Sequence, residues 1–367
     1  MKNTLLATTA IVFVAATASA VDVELYGQVN KGLYSYDDGQ NTDVVINDNA
    51  KSNTRMGVKG AQALDNGLTA SVLLEGAMSD NASDAYQQSN VTLGSNSQTP
   101  VAGAAATFTS RQARVGMSGN FGGLYLGKQS TASDGAFTVD LAGANDVMDA
   151  DIADIGGGLG FRTAGTGVLN TGFTPNAMTY GMSENITNSI RYDSPIFNGV
   201  QGRAAIAQGG DMDMGVYYDG GVGDFKVAAA GSAFFNNDEN TTATNVQSAV
   251  YTAAASARHN SGLGATLGYA SASLDKGVVG ANDPSQMYAK VGYAWDAFEV
   301  AADYTKSEHW RSATAASDKL TSMGVAAQYN VADGVSVAAL LRNFDADVTG
   351  TATDAINLMG VNMRVKF

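Results

Sequence analysis

Between Asn145 and Ile155 the chain reads Asn-Asp-Val-Met-Asp-Ala-Asp-Ile-Ala-Asp-Ile, which gathers the carboxylates of Asp146, Asp149, Asp151 and Asp154 into one short stretch. At about 100° per residue, Met148, Ile152 and Ile155 share an apolar stripe. Asp146, Asp149 and Asp154 fall opposite it and Asp151 lies on the flank. A helical turn of this kind can rest its stripe on a wall and turn its carboxylates towards a facing surface. The same residues also suit a solvated acidic surface loop, or weak binding of a divalent ion by closely spaced Asp. Cations that could form the facing surface occur singly in alternating segments. They are Arg55 in Thr54-Arg-Met-Gly-Val-Lys59, Arg114 in Gln112-Ala-Arg-Val-Gly-Met-Ser118 and Arg191 in Ser189-Ile-Arg-Tyr-Asp193. Opposed rows of acid and base set up a transverse field, which sorts ions and breaks no bond.

Covalent chemistry has little to work with. Nucleophilic catalysis needs a nucleophile and a base within reach of each other. The two histidines are His259, beside a short turn, and His309, next to Trp310, and neither has a partner at even spacing in a strand. Cysteine is absent, which removes disulfides and thiolate metal sites. Gly156-Gly-Gly-Leu-Gly160 is followed by no Lys-Ser/Thr and is not a phosphate loop. The reading therefore assigns no catalytic residue, no metal site and no cofactor. The formal charge of −14 argues against nucleic acid as a partner.

The elements that must position these charges are strands. Period-two alternation marks sixteen segments: 22–36, 53–61, 68–76, 110–119, 123–129, 186–194, 200–208, 213–219, 225–235, 247–258, 264–273, 285–295, 297–307, 320–330, 335–345 and 355–367. The last shows the pattern best. Met359, Val361, Met363, Val365 and Phe367 alternate with Gly360, Asn362, Arg364 and Lys366. The connections alternate too. Tight turns such as Leu64-Asp-Asn-Gly67 and Gly119-Asn-Phe-Gly122 alternate with long polar loops at 37–52, 77–109, 130–185, 236–246, 274–284, 308–319 and 346–354, with the link at 209–212 as the short exception. Most segments are about 9–11 residues long, enough to cross a bilayer when tilted. Charged residues are only 15% of the chain and the four prolines are few. Both suit strands that donate to a ladder and show an apolar face to lipid. An even number of strands with loops sorted by length is the pattern of an outer-membrane barrel, with short periplasmic turns and long extracellular loops. Residues 1–20 read as a signal peptide, with Lys2 as a basic start, an apolar run from Leu5 to Ala18 and Ala18-Ser-Ala20 as the cleavage site. Residues 21–367 then form one transmembrane antiparallel β-barrel, and its formal charge is −15 once Lys2 is lost. Parity turns Arg55, Arg114, Arg191, Arg203, Lys290, Arg342, Arg364, Glu75, Glu299 and Asp303 into the lumen, because Arg or Lys facing mid-membrane lipid costs ~2–4 kcal/mol.

"VELYGQVNKGLY", "SNTRMGVKGAQALDNGLTASVLLE", "RQARVGMSGNFGGLYLGKQ", "NSIRYDSPIFNGVQG" and "GVNMRVKF" occur in an order that resembles the Gram-negative general diffusion porins. The resemblance covers the first half of the chain and its end. It implies a sixteen-stranded, trimeric barrel in the outer membrane, whose third long loop, 130–185, folds into the lumen and narrows it. It also implies a basic wall facing acidic residues of that loop. Arg55 matches the arginine of R-x-G-F-K-G, Lys128 the basic residue of "LGRQ" and Arg191 that of "SIRY". Lys128 follows the parity of Leu124 and Leu126, so a lumen-facing Lys128 needs a bulge near Gly127. The expected constriction thus comprises Arg55, Arg114, Lys128 and Arg191 against Asp146, Asp149, Asp151 and Asp154. The partners implied are two further copies of the chain, outer-membrane lipid and lipopolysaccharide, and the barrel assembly machinery acting on Phe367. The solutes implied are small, hydrophilic molecules and ions.

Seven acidic residues in 130–185, including Asp134, Asp140 and Glu184, against Arg162 alone lead to an expected mild cation preference. Two alternatives stay open: a substrate-specific channel, or a non-transport envelope or adhesin barrel with a plugged lumen. A sugar channel needs a run of lumen aromatics, and a phosphate channel needs clustered lumen lysines.

Overall fold

The structure is a computed structural model that describes residues 21–88, 107–180, 186–237, 247–274 and 281–367. The expected signal peptide, Glu184 and parts of four connections lie outside the described residues. The strands are β1 (Asp22–Asp37), β2 (Thr42–Asp48), β3 (Arg55–Ala63), β4 (Thr69–Ser79), β5 (Thr107–Gly119), β6 (Gly122–Ser130), β7 (Phe161–Arg162), β8 (Leu169–Asn170), β9 (Ile186–Asp193) and β10 (Val200–Ala207). They continue as β11 (Met212–Val222), β12 (Phe225–Phe235), β13 (Gln247–His259), β14 (Leu263–Leu274), β15 (Ser285–Trp295), β16 (Phe298–Glu308), β17 (Asp318–Ala332), β18 (Val335–Val348) and β19 (Ile356–Lys366). One short helix, α1 (Pro175–Met178), lies in the third long loop and is capped by the Thr174 hydroxyl.

All strands except β7 and β8 form one antiparallel sheet that closes on itself. At the seam β1 pairs with β19 from Gln28↔Lys366 to Asp37↔Asn357. Two bonds between the last residue and Gly27 finish it, Gly27 N–H to Phe367 O at 2.9 Å and Phe367 N–H to Gly27 O at 3.0 Å. The Phe367 ring lies over Gly27, where a Cβ would come within 2.5 Å of ring carbon Cζ. Glycine at this position makes room for the terminal aromatic. Closure leaves no free sheet edge in hydrocarbon, which is what permits strands to span a membrane.

β2 and β3 both pair with β1, β2 against its upper half and β3 against its lower half. They form one stave broken at residues 49–54, so seventeen sheet strands make sixteen staves. The sequence reading placed 42–48 in a loop. Only Val44 and Ile46 carry alternation there, and their neighbours Asp43, Asn47 and Asp48 resemble loop residues.

Alternation sorts the two faces as expected. On β19 Met363 is 53% exposed on the outer surface and Asn362 only 2% on the inner. The apolar core is not between sheets. It lies inside the barrel, where Met148, Ile152, Ile155, Leu159 and Phe161 of the third long loop pack on Leu320, Leu340, Phe344, Ile356 and Leu358 of β17, β18 and β19. Each such side chain contributes about 1.5–3 kcal/mol when fully buried. The apolar stripe of 145–155 is therefore used as expected, but the segment is irregular apart from a single 3-10 turn over Ile152–Asp154.

The glycine-rich stretch after Ile155 acquires a role. β7 and β8 pair as a small hairpin docked on neighbouring loops. Arg162 Nε meets Asp38 Oδ2 at 2.7 Å, Asp354 N–H reaches Arg162 O at 2.8 Å and Ala164 N–H reaches Ala352 O at 2.8 Å. Gly158 sits where a Cβ would be 2.7 Å from Tyr86 O, so two backbones approach there at a distance only glycine allows.

Candidate functional site

Two sets of charges line the inside of the barrel, and the third long loop separates them. The first set sits beneath or beside the loop. Lys290 of β15, with no exposed side-chain surface, donates to Asp140 Oδ2 at 2.8 Å, Asn145 Oδ1 at 2.8 Å and Met148 O at 2.7 Å. Glu299 of β16 accepts from Ala144 N–H at 2.7 Å and lies 3.8 Å from Arg258. Gln286 Nε2 reaches Ala150 O at 3.1 Å, and Ser307 Oγ reaches Met178 O at 2.7 Å. At the loop's start Asp213 of β11 accepts from the N–H groups of Ala132 and Ser133. The loop is thus bound to the wall from β11 round to β19.

Two of the four expected constriction carboxylates, those of Asp146 and Asp149, belong to this set. Asp146 accepts from Arg364 Nη1 at 2.6 Å and from the Ser336 hydroxyl. Asp149 pairs with Lys51, which the break between β2 and β3 turns inward. Asp151 is buried, and its N–H bonds to Asp149 Oδ1 at 3.0 Å. The Asp154 carbonyl accepts from Ser83 Oγ at 2.5 Å. This corrects the sequence reading. Asp146 and Asp149 do not face the arginine wall across an opening but are paired with cations on the loop's own side. The physical reason is desolvation. Carboxylates carried against the wall beside an apolar stripe must find cations there. Lys51 lies in a segment read as loop, so nothing in the pattern announced it.

The second set lies on β3 to β10. Arg55 Nε is 3.4 Å and Arg111 Nε 3.2 Å from Glu75, whose other contacts include the Tyr26 hydroxyl at 2.8 Å. Arg114 stacks on the Tyr125 ring at 4.4 Å and Arg191 lies 5.5 Å from the same ring. Arg191 also makes a two-pronged pair with Asp193 at 2.9 and 3.0 Å and donates to Ser130 O at 2.6 Å. Arg203 covers the Tyr217 ring at 4.1 Å. Planar guanidinium groups on aromatic faces keep their N–H edges directed away from the ring. Arg114 and Arg191 thus share the Tyr125 ring, while Arg55 is engaged with Glu75.

One of the wall assignments needs revision, and one wall residue was not foreseen. Lys128 pairs with Ala113 in an unbroken register, on the outward face with Val115 and Leu126, and its ammonium donates to Ser110 O at 2.6 Å. Gly127 adopts φ +132° without inserting an extra residue, so Lys128 keeps outward parity and lies near the strand end. There the cost of a lipid-facing cation falls to about 0–1 kcal/mol. The bulge lies elsewhere: Glu75 pairs with Gln112 but Gly76 with Ser110. The residue that the register skips is Arg111, and the bulge turns it inward onto Glu75. The signal for it in the sequence is the consecutive polar pair Arg111-Gln112, which breaks strict alternation.

The family model described as Gram-negative porin matches residues 7–349. The chain belongs to the Gram-negative porins. The porin is similar in fold to the anion-selective porin from Comamonas acidovorans, at 18% identity and TM-score 0.61 over 95% of this chain and 100% of that one. It is also similar to the trimer form of OmpT of Vibrio cholerae, at 17% identity and TM-score 0.58 over 95% and 100%. The outer-membrane channel DcaP of Acinetobacter baumannii matches at 10% identity and TM-score 0.61 over 96% and 99%. No curated protein matches the porin's sequence. Family and fold place the porin in the outer membrane, as a channel for diffusion.

Proposed function

We propose that the porin is a passive, weakly selective channel for small hydrophilic solutes and ions, and that its narrowest opening runs between the third long loop and the arginine face of β3 to β10. One observation carries this reading. The described bonds of the loop's acidic segment go to β15–β19 and to residues 49–51 and 83, while β3 to β10 place Arg55, Arg111, Arg114, Arg191 and Arg203 on one inward face whose strand positions carry two carboxylates, Glu75 and Asp193. Five guanidinium groups against two carboxylates give that face a positive excess.

The expected mild cation preference loses part of its source, because Asp140, Asp146 and Asp149 are paired with Lys290, Arg364 and Lys51. The negative charge of the whole chain acts from further away and is screened beyond a Debye length of ~8 Å at physiological salt. Charges at the opening act at contact distance on a passing ion. The near set prevails, and the porin prefers anions weakly. The test is single-channel recording in planar bilayers with a salt gradient. Open current steps that sugars leave unblocked, with a reversal potential on the anion side, support the reading. Absence of conductance refutes it in favour of a plugged envelope barrel, and blockade by one sugar refutes it in favour of a specific channel.

Assembly as a homotrimer fits the outer face of β1. Val23, Leu25, Gly27 and Val29 make it low-relief, and Lys31 sits mid-strand on that face paired with buried Asp48 at 3.2 Å. A charge pair at that depth suits protein contact better than lipid.

A further inference from the structure

Nearer the short-turn end, the lumen wall carries a niche of about 480 Å³ lined by Asp22, Glu24, Lys59, Ser71, Leu73 and Arg114. Strand register builds it. Glu24 pairs with Lys59, Lys59 with Leu73 and Leu73 with Arg114, so these four side chains cross β1, β3, β4 and β5 in one inward-facing row. Below them Ser71 pairs with Gly116, where a Cβ would come within 2.6 Å of Ser71 Oγ. The small floor is what makes the niche.

Its charges are divided by position. Asp22 and Glu24 lie at one end. Glu24 is only loosely engaged, 3.9 Å from a Lys59 that is half exposed and lies 4.3 Å over the Tyr26 ring. Arg114 lies at the other end. Its Nε and Nη1 are buried without a hydrogen-bond partner, because Tyr125 offers it a ring face and no acceptor. Leu73 stands between the ends and supplies apolar contact. The row spans three strand spacings, about 14 Å from backbone to backbone. Side chains reaching in from both ends leave a gap suited to a short molecule with opposite charges at its ends. A simple anion would gain Arg114 but meet Asp22 and Glu24, and a simple cation would meet the reverse.

We propose that this niche is a binding station for small zwitterions, amino acids and short peptides, which places their carboxylate on Arg114, their ammonium at Asp22 and Glu24, and an apolar side chain on Leu73. The proposal rests on the channel reading and adds a solute class to it. The test is single-channel recording with leucine, N-acetyl-leucine (carboxylate only) or leucinamide (ammonium only) added on the short-turn side. Leucine is expected to interrupt the current with dwell times roughly two- to fivefold longer than either analogue, the scale of the one partly screened charge contact that each analogue lacks. Arg114→Gln should bring the leucine dwell time down to that of leucinamide, and D22N/E24Q down to that of N-acetyl-leucine. Ser71→Leu, which fills the floor and removes no charge, should shorten it as well. N-acetyl-leucine dwelling as long as leucine, or leucine dwell times unchanged by both Arg114→Gln and Ser71→Leu in open channels, overturns the station. Absence of open current in the unaltered porin overturns the channel reading instead, so the two failures are told apart.

Discussion

Replacing Lys290 by Met tests how the third long loop is held. The ammonium has no exposed surface and joins three loop groups, the Asp140 carboxylate, the Asn145 amide oxygen and the Met148 carbonyl. Breaking a buried pair by removing one partner costs about 3–5 kcal/mol, because the other charge stays buried. Asp140 would keep its bonds from Thr266 Oγ1 at 2.8 Å and Ala142 N–H at 2.7 Å, which argues for the lower end of that range. A loss of about 3 kcal/mol raises the undocked fraction of the loop roughly a hundredfold. The barrel ladder does not involve this side chain, so K290M should still insert and conduct. Its open current should be noisy, and the loop should be cut faster in limited proteolysis of the detergent-solubilised protein. Adding Asp140→Asn removes the stranded charge and should recover about 1–2 kcal/mol, a non-additive result. K290M with wild-type noise and wild-type proteolysis would refute the claim that this cation holds the loop.

Other outcomes follow from single contacts. Lys128→Gln should leave conductance and reversal potential unaltered, because Lys128 lies on the outer face; a shift in either places it back in the lumen. Gly27→Val should drive Phe367 off the seam at a cost of about 1–3 kcal/mol, read as a lower temperature for the heat-induced gel-mobility shift. Burial pushes the loop phenols Tyr86 and Tyr180 well up from the ordinary value of about 10, so the unfolded chain ionises first. Their contribution to stability should hold below pH ~10 and decline as pH rises beyond it. A melting midpoint that falls already between pH 7 and 9 would contradict that.

The barrel was legible because parity is enforced by lipid. A charge on the wrong face of Arg114 or Arg191 is costly enough that period two survives in nearly every stave. What escaped has other causes. Arg111 faces inward through a bulge, and the extra residue shifts the alternation by one, so Phe108 points outward although it shares sequence parity with the inward Gln112 and Arg114. β2 is short and polar on its inner side. The fate of the Asp cluster depends on Arg364, Ser336 and Lys51, up to 218 residues away, and no local period encodes such pairs. The apolar stripe of Met148, Ile152 and Ile155 was readable as a face that must be buried. Burial against β17 to β19 then decided where the carboxylates could go.

The chain has no cysteine, so one introduced thiol reports on its own position. Gln112 pairs with Glu75 on the arginine face, whereas Ser322 is buried on β17, the strand that α1 of the loop contacts. Exposing open channels of Gln112→Cys to a charged methanethiosulfonate should lower the single-channel conductance in one step. Ser322→Cys channels should show no change under the same treatment. A protected thiol at 112 together with a reactive, current-reducing thiol at 322 would contradict an opening between the loop and the arginine wall.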